Sequence, residues 1–206
     1  MAEDALASGL SAAQRRWSLA AAITMAAVFG MSAGFGAPLF SLLLDEHGIG
    51  ELQILMPLLR RANPDAAAVR EERWIAWLAP PFVPYAPALQ SAGLALERQL
   101  IVRTLKVKEV WWAMEQVLRS GTCTAVLGWA DKAEDPVLRR LKLAADEGGT
   151  SGILFRPTRY RSQASPANVR AVLRGVDARL EIVLFKSQGG RAGRTQVSAS
   201  GLGVIG

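Results

Sequence analysis

The chain has 206 residues and half of them are hydrophobic, so a domain of ordinary size can bury a substantial core. It contains a single cysteine, Cys123, and a single histidine, His47. These counts exclude a disulfide framework within the chain and argue against a cysteine-based zinc site, a histidine-rich metal site and a catalytic triad. A single cysteine also fits the reducing cytosol.

The net charge of +6 is concentrated near the carboxyl end. Residues 156–194 carry nine arginines or lysines and two acids, a net charge of +7, whereas the rest of the chain carries 15 basic and 16 acidic residues, a net charge of −1. Such a basic extension suits nucleic acid or an acidic protein surface, or it serves as a solvated segment that keeps the protein soluble. The candidate partner-binding or DNA-binding residues are Arg156, Arg159, Arg161, Lys186, Arg191 and Arg194.

The amino-terminal segment, residues 1–44, contains a long apolar run. No charged residue occurs in the 28 positions 17–44, which follow Arg15 and Arg16. The run therefore predicts a membrane tether with a cytoplasmic amino terminus, or a secretory signal. Alternatively, Pro38 divides it, and LFSLLL forms a buried parallel strand. The stretch GFGAPLFSLLL resembles the first membrane helix of a major-facilitator transporter.

Helical and short apolar segments alternate over residues 45–156. The apolar segments, which predict strands, are RWIAWLAPP, LIVRT, TAVLGWA and GILFRP. Between them lie helical patterns, the clearest over 107–120 and from Asp135 to the following glycines. This alternation predicts an α/β domain with right-handed crossovers and a mostly parallel sheet that is covered on both faces.

The remaining residues, 157–206, form the basic extension. We expect residues 157–178 to be an exposed linker and RLEIVLFKS, at 179–187, to be an edge strand. The Gly- and Ser-rich end predicts a flexible tail.

A degenerate P-loop is predicted around Gly48, Gly50 and Glu51, before the first helical pattern of the domain. In a working P-loop the last glycine is followed by a lysine that neutralises phosphate and by a Ser or Thr that holds magnesium. Here Glu51 and Leu52 follow, and a carboxylate would repel a nucleotide. We therefore expect no nucleotide, no metal, no other cofactor and no catalytic residue.

Several segments together resemble the ImuA family, which is close to the SulA-type cell-division inhibitors. They are HGIGELQILMPLL, RWIAWLAPPFVPYAPALQSAGL, WWAMEQVLRSGTC, LRRLKLAADEGGTSGILFRPTRYRSQASPA and LEIVLFKSQGGRAG. The resemblance implies a RecA-like three-layer fold without nucleotide hydrolysis. It also implies a non-catalytic accessory role in SOS-induced, error-prone translesion DNA synthesis. The implied partners are an ImuB-type polymerase-like protein, an error-prone DnaE-type polymerase and RecA. The charge of the basic extension makes it a candidate for DNA contact as well.

The alternative function is that of a SulA-like inhibitor that binds FtsZ and blocks cell division. It would use the same α/β core and would not need the extension at 156–194. Either function predicts a cytoplasmic protein, unless residues 17–44 tether it to a membrane.

Overall fold

A computed structural model describes residues 38–47, 50–56, 58–59, 73–103, 106–177, 179–187 and 193–198. These residues form a mixed α/β fold around one eight-stranded sheet. The strands are β1 (Leu39–Leu43), β2 (Trp74–Leu78), β3 (Gln99–Val102), β4 (Cys123–Trp129), β5 (Ser151–Arg156), β6 (Val169–Val176), β7 (Arg179–Ser187) and β8 (Gly193–Ser198). The α-helices with complete bounds are α1 (Ala86–Ser91), α2 (Val107–Ser120) and α3 (Asp135–Gly148).

The strand order in the sheet is β3-β2-β4-β5-β1-β6-β7-β8. The six strands from β3 to β6 in that order are parallel, whereas β7 and β8 run antiparallel to their neighbours. Helix α2 connects β3 to β4, and α3 connects β4 to β5, as crossovers between parallel strands require. The first strand, β1, lies between β5 and β6, so its Phe40 faces Ile153 on one side and Val169 on the other.

Helices α2 and α3 cover one side of the sheet because their apolar residues recur at helical spacing. Each helix ends at a glycine in the left-handed conformation, Gly121 with φ 67° and Gly149 with φ 60°, which is a common signal for helix termination. The bounds of α2 are those predicted from the sequence. The buried helical residues are Val110, Trp111, Met114, Leu118, Leu138, Leu141, Ala144 and Ala145.

The opposite side of the sheet is built around three aromatic rings. The ring of Trp129 stacks on that of Phe155 with centroids 4.5 Å apart, and on that of Trp77 with centroids 6.1 Å apart. Leu89 of α1 and Leu59, from the helical residues that follow β1, pack into the same cluster. Both faces of the sheet are therefore covered, which explains why its central strands are mostly apolar.

The structure corrects the predictions for the extension. Residues 157–178 are not an exposed linker throughout, because β6 occupies Val169–Val176 and its first five residues are buried beside β1. Strand β7 is not an edge strand, since it lies between β6 and β8. The predicted flexible end contains β8. Arginines and glycines interrupt the apolar pattern of these strands, so the pattern alone does not identify all of them or their order in the sheet.

The apolar amino-terminal run contributes a strand to the sheet. Residues 39–43 form β1, whose five residues are all buried, which confirms the interpretation of LFSLLL as a parallel strand. Residues 17–37 of the run lie outside the described residues. Among the residues that the structure describes, no helix is long and apolar enough to cross a membrane. The division into 1–44, 45–156 and 157–206 stays a prediction, and the sheet takes strands from all three segments.

The close approach of α2 and α3 depends on Gly148. A Cβ atom at this position would lie 1.9 Å from the backbone oxygen of Leu118, which cannot move without displacing α2. We therefore expect Gly148→Ala to lower the free energy of unfolding by about 2 kcal/mol or more, measured by urea denaturation. Gly193→Ala is the control, because nothing lies within 4 Å of its Cβ position. Equal stability of the two variants would contradict the prediction.

Candidate functional site

The carboxyl ends of parallel strands are the usual ligand-binding edge of an α/β sheet. Here that edge is crossed by the β5–β6 loop, residues 157–168, which two aspartates hold in place. The side chain of Asp45, just after β1, accepts hydrogen bonds from the hydroxyl of Thr158 and from its backbone N–H, the latter at 3.0 Å. Asp131, which follows β4, pairs with the guanidinium of Arg159. The loop is therefore anchored to the ends of β1 and β4.

The surroundings of Asp45 favour the charged form of its carboxyl group. The hydrogen bond from the Thr158 hydroxyl, followed by the one from the Thr158 backbone, lowers the pKa of Asp45 below its ordinary value of 3.8. The positive charges of Arg174 and Arg159 act in the same direction. The anchor is therefore strongest when Asp45 is ionised.

Arg156, a predicted partner-binding residue, lies inside the protein. Its side chain is 1% exposed, and its Cζ atom lies 4.5 Å from the centre of the Tyr160 ring. One terminal nitrogen donates to the Gln163 side-chain oxygen at 2.7 Å and to the Ala133 carbonyl at 3.4 Å. Because burial opposes its charge, the pKa of Arg156 is lowered. The residue is therefore placed to support the β5–β6 loop and not to contact a partner.

A second group of cations lies near Phe185 on β7. We call Arg161, Arg170, Phe185 and Lys186 the Phe185 cluster. The Cζ atoms of Arg170 and Arg161 lie 4.8 and 5.4 Å from the centre of the Phe185 ring. Arg170 is buried and donates to the backbone oxygens of Tyr160 and Arg161, whereas Arg161 and Lys186 are exposed. Two predicted contact residues therefore lie together at this cluster.

The other candidate cations are dispersed. Arg159 is exposed and paired with Asp131, as described above. Arg194 of β8 is also exposed, and its Nε lies 3.1 Å from the carboxylate of Glu181 on β7. Arg191 lies outside the described residues. The six predicted cations thus do not form one continuous surface among the residues that the structure describes.

The predicted P-loop position is only partly described. Gly48 lies outside the described residues, whereas Gly50 has a φ of 97° and its carbonyl accepts a hydrogen bond from the Gln53 N–H at 3.0 Å. Glu51 follows and is only 5% exposed. The positive φ explains the glycine as a requirement of the turn, because other residues rarely adopt it.

Sequence reasoning missed an exposed apolar surface. The proline loop, residues 79–85, connects β2 to α1 at the carboxyl edge of the sheet. Phe82, Val83 and Tyr85 within it are 70%, 59% and 58% exposed. The available signal was the combination of prolines at 80, 81 and 84 with large apolar residues, directly after the predicted strand RWIAWLAPP.

These features define a mixed α/β protein whose most distinctive surfaces are an apolar loop and a cationic cluster. The model of the family "Cell division inhibitor SulA" matches residues 43–152, more than half of the chain. The cell division inhibitor SulA of Edwardsiella piscicida is 32% identical over 145 residues, which are 69% of this chain and 76% of that protein. The SulA of Citrobacter koseri is 32% identical over 113 residues, 54% of this chain and 63% of that protein.

The chain therefore belongs to the SulA family. Among solved structures, the crystal structure of SulA from Pseudomonas aeruginosa is similar, with 26% identity and a TM-score of 0.46, over 57% of this chain and 97% of that one. The family match ends at residue 152, so it leaves out β6, β7, β8 and every predicted contact residue of the extension.

The resemblance to ImuA is wrong, and so is the translesion function drawn from it. The family model and the relatives support SulA. The ImuB-type protein, the DnaE-type polymerase and RecA are therefore not supported as partners. The error has a simple source. Most of the segments that carried the resemblance fall within 43–152, the region that the SulA family model matches.

The buried guanidinium of Arg156 leads to a stability prediction. Since no carboxylate forms an ion pair with it among the described residues, although Asp131 and Asp135 favour its charge from farther away, an apolar side chain of similar length should replace it at little loss. We expect Arg156→Met to change the free energy of unfolding by less than about 1 kcal/mol, and Arg156→Ala to lower it by about 2–4 kcal/mol through lost packing. If urea denaturation shows equal destabilisation by both variants, the guanidinium hydrogen bonds matter more than the packing.

The anchor at Asp45 predicts a pH dependence. Because its pKa is lowered in the folded protein, its contribution to stability is present above pH 3.8 and is lost as the pH falls through the folded value. Solvent screens the exposed carboxyl, so we expect Asp45→Asn to lower the free energy of unfolding at pH 7 by less than about 1 kcal/mol. Thermal denaturation should show no difference between Asp45→Asn and the parent at a pH below the folded-state pKa of Asp45, where the carboxyl group is protonated.

Glu46→Gln is the control for Asp45→Asn, because Glu46 is exposed in the same turn. The control should leave stability nearly unchanged at every pH. An equal loss in both variants would indicate a general effect of surface charge and would contradict the role of Thr158.

Proposed function

We propose that this chain is a cell-division inhibitor that acts by binding FtsZ. The observation that carries the proposal is the family match over residues 43–152, together with relatives that are named cell division inhibitors. FtsZ is the partner that the SulA-like alternative implied. The proposal places the protein in the cytoplasm, in keeping with its single cysteine, which is buried.

The inhibitor would act by occupying a surface of its partner and not by catalysis. Supporting this, Glu51 is buried where a P-loop has its lysine, and an acid there disfavours phosphate. The order of the parallel strands and the helices on both faces also suit a RecA-like domain that has lost its nucleotide site. Inhibition should therefore require amounts comparable to those of the partner, whereas an enzyme would act at much lower amounts.

The proline loop is the surface that we assign to the partner. Exposed apolar patches of this kind often mark protein interfaces, and aromatic residues dominate their binding energy. Prolines at 80, 81 and 84 restrict the backbone, so the loop loses little freedom on binding. Its two ends are fixed, since the Ala79 N–H donates to the Val102 carbonyl at 2.8 Å and Leu89 of α1 is buried. The loop also lies within the family match.

The proposal is tested with purified FtsZ and the full chain. We expect the chain to reduce FtsZ polymer in a sedimentation assay at roughly equal molar amounts, and to cause filamentation when it is produced in bacterial cells. Phe82→Ala should raise the concentration needed for half-inhibition about tenfold, because an aromatic interface residue contributes more than about 1 kcal/mol.

Leu143→Ala is the matched control for Phe82→Ala. Leu143 is 64% exposed on α3, so this change removes a comparably exposed apolar side chain away from the proline loop. The control should inhibit like the parent. Absence of inhibition by the folded parent chain would overturn the function, whereas equal inhibition by Phe82→Ala would overturn only the assignment of the loop.

A further inference from the structure

The Phe185 cluster concentrates positive charge without an acidic neighbour. Among the described residues, no carboxylate forms an ion pair with Arg161, Arg170 or Lys186. The Nε of Arg170 is buried and has no hydrogen-bond partner, and the Lys186 ammonium donates to the Ser165 carbonyl at 2.7 Å. Burial, and then the charge of Arg170, lowers the pKa of Lys186, as expected where like charges converge.

The other described cations of the extension lie near acidic groups or far from the Phe185 cluster. Arg159 is paired with Asp131 and Arg194 with Glu181, while Arg174 lies near enough to Asp45 to affect its pKa. Arg179 stands at the opposite end of β7 from Lys186. Among the described residues, the cluster is therefore a compact group of three cations without ion pairs: two guanidiniums over one ring, and Lys186, which is the cross-strand partner of Arg170.

The ring also orders the charged groups. Phe185 is half-buried, and a guanidinium over an aromatic face is held by attraction to the π-electrons, which reduces the freedom that it would lose on binding an anion. Arg161 and Lys186 are exposed, whereas Arg170 is buried. The arrangement is that of a preformed anion site with two accessible donors and a third, buried charge next to them.

We propose that the Phe185 cluster binds an acidic segment of a partner protein, with carboxylates of that segment on Arg161 and Lys186. A nucleic-acid strand presents a continuous row of phosphates and needs a matching row of free cations. Among the described residues of the extension, the cations beyond the cluster are near acids or distant from it, and Asp131 lies against the β5–β6 loop. A short acidic segment needs only the compact site. This inference goes beyond the proposed function, because the cluster lies outside the family match and does not require FtsZ as its ligand.

The test uses the full chain and a fluorescent synthetic peptide rich in Asp and Glu, with its Asn- and Gln-substituted equivalent and a single-stranded oligonucleotide as comparison probes. We expect the acidic peptide to bind the parent chain in fluorescence anisotropy, with an affinity that falls as salt is added. The variant Arg161→Gln/Lys186→Gln should bind it at least about tenfold more weakly. The uncharged peptide should not bind.

Lys108→Gln/Arg139→Gln is the matched control, because both residues are exposed on α2 and α3 and the change in net charge is the same. This variant should keep the parent's affinity, and an equal loss would overturn the site. Absence of peptide binding, or tighter binding of the oligonucleotide than of the peptide, would also overturn it. If the double variant does not fold, the exposed Arg161→Gln alone should weaken binding about threefold or more, and an unchanged affinity would refute the proposal. None of these outcomes depends on inhibition of FtsZ.

Discussion

The pairing of β1 with β5 on one side and β6 on the other is the constraint on which the rest of the structure depends. All five residues of β1 are buried, and they join the α/β core to the extension within one sheet. The contact with the extension is reinforced at one end, where the backbone N–H of Leu39 donates to the Asn168 side chain and the N–H of Asn168 donates to the Leu39 carbonyl, both at 2.9 Å. Without β1, the strands β6–β8 would lack the neighbouring strand that joins them to the rest of the sheet.

This placement also explains why the cations of the extension have such different surroundings. Because β5, β1 and β6 are parallel, the chain must run from the carboxyl end of β5 back to the amino end of β6, so the β5–β6 loop lies over the sheet. Arg156 at the end of β5 and Arg170 within β6 are consequently buried beneath it, while Asp45 and Asp131 hold the loop from the ends of their strands. Of the six predicted contact cations, only Arg161 and Lys186 are both exposed and without an ion pair among the described residues.

The sequence predicts the core well because its signals are local. Helices α2 and α3 have apolar residues at helical spacing and a glycine at the end, and both signals can be recognised without tertiary information. Strand β6 is different, because its Arg170 stands at a buried position and the segment resembles a polar linker. One of its two neighbours in the sheet is β1, which is remote in the sequence, so that pairing cannot be recognised from local sequence alone.

The site was harder to predict than the fold. Composition identified the cations of the extension but could not distinguish the buried Arg156 from the exposed Arg161, because that difference follows from the direction of each side chain relative to the sheet. The proline loop gave no periodic signal, since its residues project into solvent and satisfy no pattern of helix or strand. The family was misassigned for a related reason. Segments that form a shared type of core are poor evidence for the function of what surrounds it.

The position of β1 also has a consequence for how the protein is made. Both of its neighbours come late in the chain, since β5 begins at Ser151 and β6 ends at Val176. During synthesis on the ribosome, the apolar β1 therefore emerges long before either partner exists, with both of its edges open to other chains. Folding must wait for contacts that are distant in sequence, which slows it. The nascent chain is thus most vulnerable to aggregation in the interval before β6 is complete, and a chaperone that covers an apolar strand would act in that interval.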